Sequence, residues 1–137
     1  MLIKFGRAQV ALEYLLLIGL IIVTTVPFFY YSSTTMMQNI KMNEAITAVN
    51  KIVETADFLY ALGPGSQEEI LVKFPRGTDG IVINENEIIL KLEIFNDVSD
   101  VVGYSKTSLS GELIGEEGPW HIVLKNEDNT IQISNKY

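Results

Sequence analysis

The chain changes its hydrophobic rhythm twice. From Gln9 to Tyr31 (QVALEYLLLIGLIIVTTVPFFYY) apolar residues run almost without interruption, and the 27 residues from Tyr14 to Ile40 contain no Asp, Glu, Lys or Arg. About 20 apolar residues suffice to cross the hydrocarbon of a bilayer as a helix, so this stretch predicts a membrane-length helix. Leu12, Leu15, Leu16, Ile18, Leu20, Ile21, Ile22 and Val23 give it its apolar surface, and its leucines are good helix formers. Gly19 and the hydroxyl residues are tolerated there, because a membrane helix satisfies its own backbone. Pro27 removes one backbone donor and clashes with the preceding turn, which predicts a kink or local unwinding over 24–27. The hydroxyls of Thr24 and Thr25 can bond back to carbonyls and soften that bend. Phe28, Phe29, Tyr30 and Tyr31 follow, as an interfacial aromatic belt or as packing between subunits.

The second rhythm begins after the uncharged run 32–38. Met42, Ala45, Ile46, Val49, Ile52, Val53, Ala56, Leu59 and Leu62 recur at spacings of three and four, with Asn43, Glu44, Thr47, Asn50, Lys51, Glu54 and Asp57 between them. That is an amphipathic helix whose apolar stripe needs a partner surface. No strong breaker separates Pro27 from Gly63, so residues 9–62 read as one long bent helix, with a lipid-facing or self-associating half at 9–31 and an amphipathic half at 32–62. Gly63-Pro64-Gly65 ends it, Gly63 taking the left-handed cap and Pro64 refusing to continue the helix.

The third rhythm has period two. Residues 69–74, 80–83, 87–95, 100–104, 108–114, 120–125 and 130–134 read as short strands separated by turn residues. Asn84-Glu85-Asn86 and Glu127-Asp128-Asn129 are the clearest turns. In 87–95, Ile88, Leu90, Leu92 and Ile94 alternate with Lys91 and Glu93, which predicts one buried face. Strands at such regular spacing suggest an antiparallel sandwich or meander rather than a parallel sheet. The expected fold class is α+β: a long N-terminal helix packed on a small β head spanning 66–137.

Charge sharpens the first element. Lys4 and Arg7 precede the apolar run and mark its cytoplasmic side, so the remainder of the chain is expected outside. The run is longer than the apolar region of an ordinary secretory signal, which spans about 7–15 residues. Glu13 is the one ionisable acid or base between Gln9 and Tyr31. A carboxylate in a membrane segment costs about 2–3 kcal/mol or more unless paired or held at the interface. The helix N-terminus at headgroup depth is one way to hold it; a positive partner on another molecule is the other.

Residues 6–18, Gly-Arg-Ala-Gln-Val-Ala-Leu-Glu-Tyr-Leu-Leu-Leu-Ile, closely resemble the N-terminal signature of archaeal type IV pilin-like proteins with a class III signal peptide. That signature is a short basic leader, a small residue, Gln at the first mature position, Glu at the fifth and a long aliphatic run. Counted from Gln9, Glu13 falls fifth. The small residue before the cut, commonly Gly in that family, is Ala8 here. The resemblance implies a leader of residues 1–8 removed between Ala8 and Gln9 by a prepilin peptidase. It implies a precursor in the cytoplasmic membrane, an assembly ATPase and a membrane platform protein as partners, and a mature subunit in a helical homopolymer at the cell surface. It also implies that Glu13 faces the Gln9 amine of a neighbouring subunit. The expected shape is a lollipop, with the helix as stick.

The remaining composition narrows the alternatives. The net charge is −7, more negative still without Lys4 and Arg7, and an acidic surface disfavours sequence-independent nucleic-acid binding. There is no cysteine, hence no disulfide and no thiol chemistry. His121 is the single histidine, which gives no support to a histidine metal cluster or a Ser-His-Asp triad. Glu85, Glu87, Glu116, Glu117, Glu127 and Asp128 match no EF-hand spacing and read as solvated acidic turns. Trp120 reads as core. The chain is therefore expected to be a structural pilus subunit with an adhesive role, without cofactor and not an enzyme. The alternatives are a single-pass membrane-anchored β module that binds surface ligands, and a minor pilin or pseudopilin of a secretion or uptake system.

Overall fold

The structure is a computed structural model. It describes the backbone of residues 2–136 and the side chains of residues 8–136. Met1, Tyr137 and the side chains of Lys4 and Arg7, which carry the expected leader charge, lie outside the described residues. One helix, α1 (Leu2–Leu62), precedes seven strands: β1 (Gln67–Phe74), β2 (Thr78–Asn84), β3 (Glu87–Ile94), β4 (Asp97–Tyr104), β5 (Ser108–Glu112), β6 (Gly118–Glu127) and β7 (Thr130–Asn135). The chain divides into two compact units, Met1–Met37 and Gln38–Tyr137.

The helix begins at Leu2 rather than at Gln9, because residues 2–8 contain no breaker stronger than Gly6. The backbone is helical through Pro27 rather than unwound there. Thr24 Oγ1 donates to the carbonyls of Leu20 and Ile21, both at 3.0 Å.

In the C-terminal unit, residues 38–62 of α1 form the centre of the core. Ala45, Val49, Ile52, Ala56 and Leu59 are buried, as the three-and-four spacing predicts. Ala48 joins them, while Ile46 and Leu62 of the expected stripe stay exposed. They pack against alternate residues of the strands: Ile70, Val72 and Phe74 of β1, Ile88, Leu90 and Leu92 of β3, Ile122 and Leu124 of β6, and Ile131 and Ile133 of β7. Trp120 is half-buried against this core, its Nε1 donating to the Glu116 carbonyl at 3.0 Å.

The strands form two sheets. One is the antiparallel meander β2-β3-β4; the other has the order β1-β6-β7-β5. The second departs from the expected all-antiparallel arrangement, because β5 pairs with β7 in parallel. The β5-to-β7 connection passes through β6, and such a crossover is what allows a parallel neighbour. The sheets meet where the Leu109 N–H donates to the Glu85 carbonyl. Strand limits also shift. Phe95 is not the end of β3 but, with Asn96, a two-residue hairpin loop in which both residues have positive φ (52° and 62°). This lets β4 start at Asp97, three residues earlier than the pattern predicts. β5 stops at Glu112, short of Ile114, whose N–H is bonded to Asn135 Oδ1 at 2.8 Å.

The two outer strands hold α1 from opposite flanks. On one side Gly103 of β4 lies directly against Val49 and Val53, where any side chain would overlap the valines. Just beyond, Asp57 Oδ1 accepts from Ser105 Oγ (2.7 Å) and the Lys106 N–H (2.8 Å). On the other side Lys51 Nζ donates to the Leu71 carbonyl on the free edge of β1 at 2.8 Å. A lysine over an edge strand also discourages unwanted pairing.

The end of α1 is fixed by Asn126. Gly63, at φ 95°, closes the helix with its N–H shared between the Leu59 and Tyr60 carbonyls. The Leu59 carbonyl also accepts from Ser66 Oγ (2.9 Å) and Asn126 Nδ2 (3.0 Å). Asn126 is buried, and its Oδ1 accepts from the Asn129 N–H at 3.2 Å. One amide therefore ties the helix end to the β6–β7 turn. Asn126→Ala should lower the head's stability by about 1–3 kcal/mol, the usual cost of stranding buried polar groups, read as a shift in the denaturant midpoint. Ser66→Ala, at a half-buried site with a redundant donor, should cost less.

Candidate functional site

The feature that folding alone leaves unexplained is the surface of the N-terminal unit. Leu12, Leu15, Leu16, Ile18, Leu20, Ile21, Ile22 and Val23 all lie exposed, Leu15 the most at 74%. Leucines, isoleucines and valine face every direction round the helix, so no single apolar stripe exists for one partner helix to cover. A helix apolar all round belongs in a lipid bilayer or in a larger apolar core. Returning these eight side chains to an apolar environment is worth on the order of 10 kcal/mol. Ala8–Leu62 contains a segment long and apolar enough to cross a membrane, and none of that segment is buried.

Gln9 and Glu13 sit one helical turn apart on one face of this segment, both exposed. Among the described residues Glu13 has no ion-pair partner. Ala8 and Gln9 lie within continuous helix, so the expected cleavage bond is part of the same rod. Phe28, Phe29, Tyr30 and Tyr31 are exposed to between 73% and 75% and cover all sides of the helix over one turn. Thr34 and Thr35 donate back to the Tyr30 and Tyr31 carbonyls at 3.0 and 3.1 Å, which keeps their hydroxyls paired without water.

Among the described residues the head carries several ion pairs. His121 lies exposed on β6, its Nδ1 2.8 Å from Glu69 Oε1. Lys136 Nζ is 2.7 Å from the other oxygen of the same carboxylate, and the Lys136 N–H donates to the His121 carbonyl at 2.9 Å. The Lys136 hydrogen bond holds the Glu69 carboxyl below its ordinary value, against desolvation, with His121 adding to the effect. Among the described residues no three His, Asp or Glu side chains converge as a metal site requires. Glu85, Glu116, Glu117, Glu127 and Asp128 all lie exposed, dispersed over separate loops. No local pattern encodes the Glu69–Lys136–His121 cluster, which register assembles: β1–β6 pairing places Leu71 opposite His121 and Glu69 opposite Val123.

Comparison of the chain with protein families, with curated proteins and with solved structures finds no match.

A carboxylate with a depressed pKa stabilises the fold above its unfolded pKa, and that contribution disappears as pH falls through the lower folded value. The difference in melting temperature between the wild type and Glu69→Gln should therefore be present above the ordinary value near 4.5. It should shrink as pH is taken below that value. Because the site is exposed and screened, the difference should stay small throughout.

Proposed function

We propose that the chain is the structural subunit of an archaeal type IV-like adhesive pilus. The observation that carries this reading is a membrane-length helix, apolar on every side and uncovered, that holds one carboxylate at its fifth residue from Gln9. Two further points support it: the basic leader with Ala8 before the cut, and a compact β head C-terminal to the apolar segment.

The mechanism follows from where charge and apolar surface must go. The precursor waits in the membrane with the head outside. Cleavage between Ala8 and Gln9 frees a positive amine at the membrane face. Glu13 of one subunit pairs with the Gln9 amine of the next, so each buried charge finds a counter-charge on another copy. Such a pair adds little net stability in low dielectric but fixes register, because a misaligned neighbour leaves a charge alone. Leu12 to Val23 then exchange lipid for the same segment of other copies. Because each copy uses different surfaces toward the copies before and after it, the contact need not close, and a helical filament results. The acidic heads form its outside, with Pro27 at the passage between the apolar core and the aromatic turn. Leader removal falls to a prepilin peptidase, and extraction from the membrane to an assembly ATPase and a membrane platform protein.

Glu13→Ala should leave membrane insertion intact and abolish or severely reduce sheared surface fibres; wild-type fibre yield from this variant would refute the pairing. Ala8→Lys should leave the longer precursor on a gel, whereas unchanged processing would move the cut elsewhere.

A further inference from the structure

Two features of the head are unexplained by its own packing. The first is Phe95. A two-residue hairpin loop with positive φ at both positions favours Asn or Gly, and a bulky residue there is strained. Phe95 nevertheless occupies it, at φ 52° and 61% exposed, so its ring gains little from the fold that holds it. Val98, 53% exposed, pairs with Glu93 across the hairpin, and Glu93 and Asp97 flank the loop with negative charge.

The second is a groove of about 440 Å³ between α1 and the free edge of β1. Ile40, Ala48, Leu71 and Val72 line its apolar part, and Glu44, Lys51 and Lys73 are its charged residues. Lys73 is paired with Glu44 at 3.2 Å, but Lys51 has only the Leu71 carbonyl. Since that carbonyl points away from β6, the groove also exposes unpaired backbone of an edge strand.

We infer that the Phe95 loop of one copy seats in the α1–β1 groove of a second copy. This rests on the polymer reading above and names a head-to-head contact within it. The occupant is argued from complementarity: an apolar knob between two acids meets a partly apolar groove whose net charge is positive, Lys51 standing beside the Lys73–Glu44 pair. The geometry also prevents self-closure. Lys51, which marks the β1 flank, lies roughly 160° round α1 from Val53, which marks the β4 flank. Knob and groove therefore belong to opposite flanks of the head, and a copy that gives its knob to one neighbour keeps its groove for another. Such a contact is heterologous and propagates. The strain at Phe95 is then offset in the assembled state rather than in the free head.

The chain has no cysteine, so two introduced thiols are the only ones present. In the full chain displayed on cells, oxidation of Phe95→Cys/Leu71→Cys should give a ladder of disulfide-linked multimers beyond the dimer. Either single variant should stop at dimer or below. Phe95→Gly should keep or raise the melting temperature of the head while cutting fibre yield roughly tenfold or more, as loss of an aromatic anchor does. Phe95→Tyr should restore it. Fibres from the double variant that give no ladder overturn the contact and leave the polymer reading standing. So does wild-type fibre yield from Phe95→Gly, and so does a lowered melting temperature, which would make Phe95 a packing residue. Wild-type chains that yield no multimers with a lysine crosslinker overturn both readings.

Discussion

Water cannot surround residues 12–31 of this chain without large cost, and no described residue covers them. Every side of the helix from Leu12 to Tyr31 is apolar and exposed, so the segment has to be solvated by lipid, by copies of itself, or by one after the other. That requirement organises the rest. It explains why hydroxyl groups in and just beyond the segment are satisfied locally, as at Thr24, Thr34 and Thr35. The C-terminal unit, without cysteine, has no disulfide and is held by its own packing.

The head achieves this by using the last 25 residues of α1 as its own core. A two-sheet β unit of this size would otherwise bury too little apolar surface. The sheets instead present Ile70, Val72, Leu90, Leu92, Ile122 and Leu124 to a helix stripe of small and branched residues. Small residues set the distances: Ala45, Ala48 and Ala56 let strands approach, and Gly103 removes the last side chain between β4 and the valines of α1. Three polar contacts then fix the helix in the cradle, through Lys51, Asp57 and Asn126. Each joins the helix to a different part of the β unit, so sliding or rotation of the helix breaks all three at once.

Much of this was readable in the residues. Period fixes element type, so the helix stripe, the seven strands and the Gly63 cap follow from spacing and turn chemistry. What escaped was long-range or locally strained. The parallel β5–β7 pairing depends on which strand reaches a given edge, and no local signal encodes it. Phe95 was read as strand because an aromatic after Ile94 fits a strand pattern; Asn96-Asp97 was the turn signal that should have moved the boundary. Asp57 stands among the polar positions of the helix pattern and Asn126 near the end of β6, and only tertiary contacts give them their roles. The N-terminal segment was legible for the opposite reason: composition alone sets its environment, and Gln9 and Glu13 are placed by helical spacing.

The central claim is that the apolar segment survives maturation and becomes the inside of a polymer. Intact-mass measurement and N-terminal sequencing of fibres sheared from the cell surface test it most directly. The account requires a chain that starts at Gln9 and runs through Tyr31 into the head. A surface form that begins downstream of Tyr31, or that exists only as dispersed single chains, would contradict it.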